Sequence, residues 1–456
     1  MNKIWIFIAA IAVISCKNEV PVDYAIISGK ITNKIVGELS INSADRSVKK
    51  VINVAEDGTF VDTLTLNTKA YVLYDGKNMT KVYLDTGNKI NINYNAEDFE
   101  KTLSITGEGA EISNYLFKVG SKEKELKKGS DVYVLEEAPY KQLFEEIKEV
   151  SKEILAASEG VSEEFKAKEL RNIKYSYLCQ ISIYERYHAH YAKMPEFKVS
   201  EGFLTDLEGL DYVNEEDFLF SEGYKKMVTS HFFSEASSMV EKDSIAEDIA
   251  FLKTVSSITN ETIKNSLLFD NAKYAVTYTE DLETFYATFM ANSTNEANNV
   301  VITESYNKLK TVYKGQPSPK FVDYENFLGG TTSLDDLKGK YVYVDVWATW
   351  CGPCKAEIPF LKEVESKYHG KDIEFVSISV DKAKDHEKWV KMVTEKELKG
   401  IQLFSDKDWD SEFVTGYLIK GIPRFILIDP NGVIVNSNAP RPSDSKLIDL
   451  FNELNI

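Results

Sequence analysis

The sequence predicts a multidomain protein with an N-terminal all-β, sandwich-like domain, a mainly α-helical middle region and a C-terminal α/β domain. Three observations carry that division. Short alternating runs punctuated by Gly, Asn and Asp fill residues 22–110, as half-buried strands require. Apolar residues at helical spacing dominate residues 111–312. A strand, a cysteine pair and a helix then follow one another in residues 320–456, beyond a stretch at 313–319 whose two prolines and glycine read as a linker. At 456 residues the chain is too long for one ordinary domain.

A hydrophobic content of 43% and a charged content of 28% are those of a soluble globular protein. The formal net charge of −18 argues against nucleic acid as a partner, and against docking onto anionic lipid by charge alone. The 4 cysteines are Cys16, Cys179, Cys351 and Cys354.

Residues 1–16 read as a targeting segment. Lys3 gives a positive start, the run from Ile4 to Ile14 is apolar, and Ser15 and Cys16 close it. That run is too short to span a bilayer comfortably and suits a signal h-region. Val13-Ile14-Ser15-Cys16 resembles a bacterial lipobox, which implies cleavage before Cys16 and lipidation of that cysteine. A signal peptide with an incidental cysteine, or an uncleaved anchor, is the alternative. Each of these takes the protein out of the cytoplasm and into a compartment where disulfides persist. The expected location is the cell envelope, periplasm-facing or surface, with lipid chains as the membrane anchor.

In the β region the runs are Tyr24 to Ile31, Gly37 to Ile41, Val51 to Val54, Val61 to Leu66, Ala70 to Tyr74, Lys81 to Leu84 and Lys89 to Tyr94. Regular short strands with turn signals suggest a small sandwich or barrel. No catalytic constellation is visible there, so a spacer or docking role is expected.

The middle region begins with Leu143, Phe144, Ile147 and Val150 on one helical face, after Pro139. Tyr175, Leu178, Ile181 and Tyr184 continue the pattern, as do Ser244 to Ile258 and Asp281 to Met290. His188 and His190 point apart on a helix, so a shared metal is not expected. Cys179, among Tyr177, Leu178 and Ile181, reads as a buried inert thiol.

In the C-terminal part, Tyr341-Val342-Tyr343-Val344 is β-branched and aromatic, as a buried strand requires. Ile358, Leu361 and Val364 lie on one face of the helix that follows Cys354. Cys351 therefore falls at or just before a helix N-terminus, where unpaired N–H groups and the helix dipole favour a thiolate. Pro353 fits the first turn, where its missing N–H costs nothing. Cys351 is the candidate nucleophile and Cys354 the resolving thiol. A zinc site would need two further ligands, which the nearby His369 and His386 do not supply as a second cysteine pair would. A purely structural disulfide across so short a loop would add little by chain entropy. The reading calls for no cofactor and no metal.

The run Val344-Asp345-Val346-Trp347-Ala348-Thr349-Trp350-Cys351-Gly352-Pro353-Cys354-Lys355 resembles thioredoxin closely, and Tyr417 to Pro423 resembles the thioredoxin segment that ends in a cis-proline facing the disulfide. Glu357 and Pro359 make the pattern similar to the membrane-anchored TlpA/ResA-like branch. The resemblance covers roughly residues 315–456 and implies a thioredoxin-like fold. It also implies a buried carboxylate at Asp345 that moves the proton of Cys354, the more buried of the two thiols. Glu357 is the second such candidate. Trp347 and Trp350 would pack around the dithiol, and Ile422 and Pro423 would offer backbone hydrogen bonds to an incoming peptide. Gly352-Pro353 between the cysteines is thioredoxin-like and implies a reductant. The β region, closing with Thr106-Gly107-Glu108-Gly109 and Asn114-Tyr115-Leu116, resembles the N-terminal domain often joined to TlpA-like modules in Bacteroidetes-type lipoproteins.

The expected function is that of a membrane-anchored thiol–disulfide oxidoreductase that reduces disulfides of exported proteins and is itself re-reduced by a membrane electron donor. A partner-binding envelope lipoprotein with secondary redox activity is the alternative from another class. A peroxiredoxin-like enzyme is a further one, but the P-x-x-x-T-x-x-C pattern meets Val344 and Ala348 where it needs Pro and Thr.

Overall fold

The computed structural model describes residues 23–33, 37–43 and 48–456. The expected signal segment 1–16, with the lipidation candidate Cys16, lies outside the described residues, as does residue 22 at the expected start of the β domain.

Among the described residues, eight strands form the N-terminal region: β1 (Tyr24–Thr32), β2 (Ser40–Ser43), β3 (Lys49–Val51), β4 (Thr59–Thr65), β5 (Ala70–Tyr74), β6 (Met79–Tyr83), β7 (Lys89–Asn95) and β8 (Ser104–Glu108), with the short helix α1 (Phe99–Thr102) before the last. They build two four-stranded sheets, ordered β4-β1-β7-β8 and β3-β2-β5-β6. Side chains from both sheets, among them Ile27, Ile41, Leu73 and Ile92, share one buried core. This is the sandwich-like arrangement that period-2 burial demands. β1 runs parallel to β7, and a Cβ at Gly29 would stand 1.8 Å from the Ile92 carbonyl oxygen, so only glycine permits that approach.

The helices follow: α2 (Ala110–Leu126), α3 (Glu137–Ala156), α4 (Glu163–Tyr191), α5 (Glu215–Phe220), α6 (Glu222–Asp243), α7 (Glu247–Ser256), α8 (Glu261–Ala275), α9 (Leu282–Asn292) and α10 (Glu296–Lys310). Ser162, Asn260, Asp281 and Asn295 each accept a hydrogen bond from a first-turn N–H and so start α4, α8, α9 and α10.

The described chain divides into two compact units, one holding residues up to 210 with 216–227, the other holding 211–215 with 228–456. The division thus falls inside α6, and the expected linker at 313–319 is not a break. Gly315 N donates to the Ile434 oxygen, Ile434 N to the Gln316 oxygen and Ser318 N to the Gly432 oxygen. The segment is strand-like and paired, and its prolines sit where no N–H is required.

The second unit contains a seven-stranded sheet, made by β9 (Tyr324–Asn326), β10 (Thr331–Thr332), β11 (Tyr341–Trp347), β12 (Ile373–Ser379), β13 (Ile401–Phe404), β14 (Arg424–Ile428) and β15 (Ile434–Asn436), in the order β10-β9-β13-β12-β11-β14-β15. β11, β12 and β13 are parallel, and β14 is antiparallel to β11. The helices of this part are α11 (Gly352–Lys367), α12 (His386–Glu395), α13 (Glu412–Gly416) and α14 (Lys446–Glu453). α11 and α14 bury Leu361, Val364, Leu447 and Phe451 against Tyr343, Phe425 and Leu427 of the sheet. This mixed sheet, with the helix α11 following its central strand, is a thioredoxin-like fold.

Candidate active site

The site grows out of the end of β11. From Val342 to Trp347 the strand is buried, with Tyr343, Asp345 and Trp347 sharing one face by its period of two. Past Trp347 the chain turns, with Cys351 N donating to the Ala348 oxygen at 3.0 Å. A buried carboxylate beyond β12 fastens this turn. Asp381 accepts from Thr349 N at 2.8 Å, from Thr349 Oγ1 at 2.8 Å and from Ser379 Oγ at 2.8 Å.

Cys351 is the N-cap of α11, and its sulfur accepts a hydrogen bond from Cys354 N at 3.1 Å. Gly352 and Pro353 form the exposed first turn. Cys351 and Cys354 are joined as a disulfide with a Cα–Cα separation of 5.3 Å, which the helical i, i+3 spacing delivers. Both cysteines are 4% exposed, so the expectation that Cys354 lies deeper is corrected. The turn held by Asp381 draws Cys351 in as far as its partner. Trp347 is buried at 2% exposure, whereas Trp350 is 58% exposed and presents apolar surface beside the cysteines. Only Trp347 packs into the interior; Trp350 follows the outward side of the turn.

Val346 pairs with Arg424 across β11 and β14, which sets Pro423 at the level of Trp347, at the sheet end where α11 begins. The Ile422–Pro423 peptide is cis, and both residues stay half-buried and reachable.

Three acidic residues are buried in this domain, Asp345 on β11 and Glu357 and Glu365 on α11. Asp345 Oδ1 has no hydrogen-bond partner among the described residues. Burial, then the charges of Glu365 and Glu357, pushes its carboxyl up to about 8. Glu365 is pushed up to about 7 by burial, against the pull of Lys399 and Lys362. Glu357 is buried rather than on the helix surface. It accepts from Ser443 N at 3.0 Å and Ser443 Oγ at 2.9 Å, with Arg441 Nη1 at 3.6 Å. A carboxyl that titrates this near a thiol's own range can, in its ionised fraction, take a proton from a thiol.

Asp381, Glu365, Ser443 and Arg441 were not singled out from the sequence. Glu365 left a signal, since it falls on the Leu361 and Val364 face of α11, where an apolar residue is the rule. Pro359 sits inside α11 and removes one of its backbone hydrogen bonds. Cys179 is a buried free thiol in α4, its pKa raised by burial, as suits an inert packing residue. His188, also buried in α4, sets Nδ1 3.0 Å from the Tyr133 carbonyl oxygen.

A cysteine pair capping the helix after the central strand of this sheet defines a thioredoxin-like redox domain. The Redoxin family pattern matches residues 313–450. The thiol-disulfide oxidoreductase ResA of Bacillus subtilis is 27% identical over 143 residues, 31% of this chain and 76% of that protein. ResA of Bacillus cereus (strain ATCC 10987) is 30% identical over 130 residues, 28% of this chain and 72% of that protein. Among solved structures, a candidate thiol-disulfide oxidoreductase from Bacteroides vulgatus is 57% identical, with 30% of this chain and 86% of that one covered and a TM-score of 0.28. Through its C-terminal part the chain belongs to the ResA/TlpA-like thiol–disulfide oxidoreductases and is an enzyme of that class.

Proposed function

We propose that the protein is a membrane-anchored reductase of disulfides in exported proteins, working through the Cys351–Cys354 dithiol. The carrying observation is Cys351 at the N-cap of α11, its sulfur accepting the Cys354 N–H at 3.1 Å. The same N–H and the helix dipole stabilise a Cys351 thiolate in the reduced enzyme.

In the reaction, the Cys351 thiolate attacks one sulfur of a client disulfide, and the other client sulfur leaves as a thiolate that takes up a proton. Cys354 gives its proton to the Asp345 carboxylate and attacks the mixed disulfide at Cys351. The second client thiolate leaves and is protonated. The client gains two electrons and two protons, and the enzyme ends as the Cys351–Cys354 disulfide. A membrane-borne electron donor returns two electrons. Asp345 acts as base, and Glu357 sets the charge around it. Trp347 is buried at the end of β11, before the turn that carries the dithiol. Trp350, Gly352, Pro353, Ile422 and Pro423 form the surface that meets the client backbone.

Lipidation at Cys16 would hold the enzyme at a membrane in the cell envelope, periplasm-facing or at the surface. Its test is a Cys16→Ser chain, which should move from the membrane fraction to the soluble one. The Gly-Pro dipeptide favours a reducing couple, nearer roughly −270 mV than roughly −120 mV. The experiment for the whole reading is a glutathione titration of the dithiol, joined to an insulin-reduction assay. A midpoint near the oxidising value, or insulin left unreduced, would overturn it.

A further inference from the structure

Beyond the dithiol, a cleft of about 670 Å³ opens in the second unit between α6, α7, α8 and the start of α14. It is within the range of ligand-sized sites. Its lining includes Asp248, Asn271 and Thr279, and in each a buried oxygen has no partner among the described residues: Asp248 Oδ2, Asn271 Oδ1 and Thr279 Oγ1. An unpaired buried polar atom is costly, so three in one cleft are a concentrated demand for donors. Glu247 and Glu280 add negative charge at the rim, with Lys446 the one cationic residue of the lining. Phe233 and Phe251, stacked with centroids 4.1 Å apart, supply an apolar wall.

The cleft is tied to the redox site through one residue. Tyr278 lines it, and the Tyr278 hydroxyl stands 2.7 Å from where a Cβ on Gly421 would be. Gly421 immediately precedes Ile422 and Pro423. The redox domain holds this tyrosine in place with its own donors. Asn438 Nδ2 donates to the Tyr278 oxygen at 2.7 Å, and Lys420 Nζ donates to the Lys273 oxygen at 2.9 Å. Arg424 Nη1 donates to the Thr277 oxygen, and its guanidinium lies 4.9 Å from the Tyr278 ring centre.

We infer that this cleft is a second binding region for the client polypeptide, taking a basic, extended segment that flanks the cystine under attack. Its acceptors and acidic rim match Lys and Arg side chains and backbone N–H groups, and Tyr278 makes it continuous with the cis-proline loop. The inference rests on the reductase reading and adds the recognition of the client to it.

The test uses two cystine-bridged peptides, identical around the disulfide, one flanked by a Lys/Arg run and the other by an Asp/Glu run. 2-Hydroxyethyl disulfide, which carries no flanking peptide, reports the thiol chemistry. At low salt the wild-type enzyme should favour the basic peptide by about tenfold, expressed in KM. Asp248→Asn combined with Asn271→Ala should bring the two peptides to near equality. Glu280→Lys, at an exposed position that cannot disturb the core, should lower the preference in the same direction. Equal KM values in the wild type, or a preference untouched by both variants, would overturn the cleft while leaving the reductase intact. Failure to reduce 2-hydroxyethyl disulfide as well as both peptides would overturn the reductase reading, and this one with it.

Discussion

Glu357 of α11 takes two hydrogen bonds from one residue, Ser443 N at 3.0 Å and Ser443 Oγ at 2.9 Å, in the loop before α14. The acidic side chain three positions past Cys354 is thereby fixed against the loop that closes the domain. Ser443→Ala removes the Oγ bond to a charged acceptor and should cost about 1–2 kcal/mol in urea denaturation. Glu357→Gln keeps the shape, so it should cost less stability and shift the pH profile of disulfide reduction instead. Profiles that superimpose would remove Glu357 from the proton chemistry.

The dithiol makes the sharpest prediction. Cys354→Ala leaves no sulfur to resolve the mixed disulfide, so the client should stay covalently bound to Cys351, visible on a non-reducing gel and identifiable by mass spectrometry. Cys351→Ser should abolish protein-disulfide reduction. Turnover by the Cys351→Ser enzyme at anything near the wild-type rate would show that another nucleophile does the work.

Asp345 should make stability depend on pH. Its carboxyl titrates near 8 in the fold, against 3.8 when unperturbed, so the folded state holds the proton more tightly than the unfolded chain does. Stability from this group is full below the unperturbed value and is lost as pH rises through 8, at up to about 1.4 kcal/mol per pH unit. Glu365, raised to about 7, adds a slope of the same sign. Asp345→Asn should therefore flatten the stability–pH curve and leave the variant more stable than wild type at pH 8. Chemical denaturation of the oxidised proteins across pH 5–9 checks the sign. A steeper fall in the variant would refute it.

Arg424 is buried at 2% exposure and donates to the Thr277 oxygen. Arg424→Ala should leave that carbonyl unpaired and open a cavity, at about 3 kcal/mol. Hydrogen exchange should then quicken in residues 273–280 before it does in β11. Unchanged exchange there would mean that the guanidinium does not hold the segment.

Much of this enzyme was legible in local sequence. The β-branched and aromatic run before Cys351 and the helical spacing after it pointed to the β11–α11 junction, and the N-terminal alternation pointed to a small sandwich or barrel, which the structure resolves as two packed sheets. Each is a property of neighbouring residues, set by backbone geometry and by which side chains must leave water. The cysteine spacing and the proline in the first turn likewise announce the dithiol within a few positions.

Tertiary structure alone decided the rest. The prolines at 317 and 319 read as part of a linker, yet the segment is pinned to β15 and its approach by bonds from more than a hundred positions away. Cys351 is as deep as Cys354 because Asp381, from beyond the next strand, fastens the turn before it. Glu357 is held by Ser443, and Tyr278 is held by Asn438 and Arg424. None of these partners is a sequence neighbour, so no periodicity marks them. A hydrogen bond closed across a long loop leaves no trace in the chain until the packing of β11, β14 and their helices brings its two ends together.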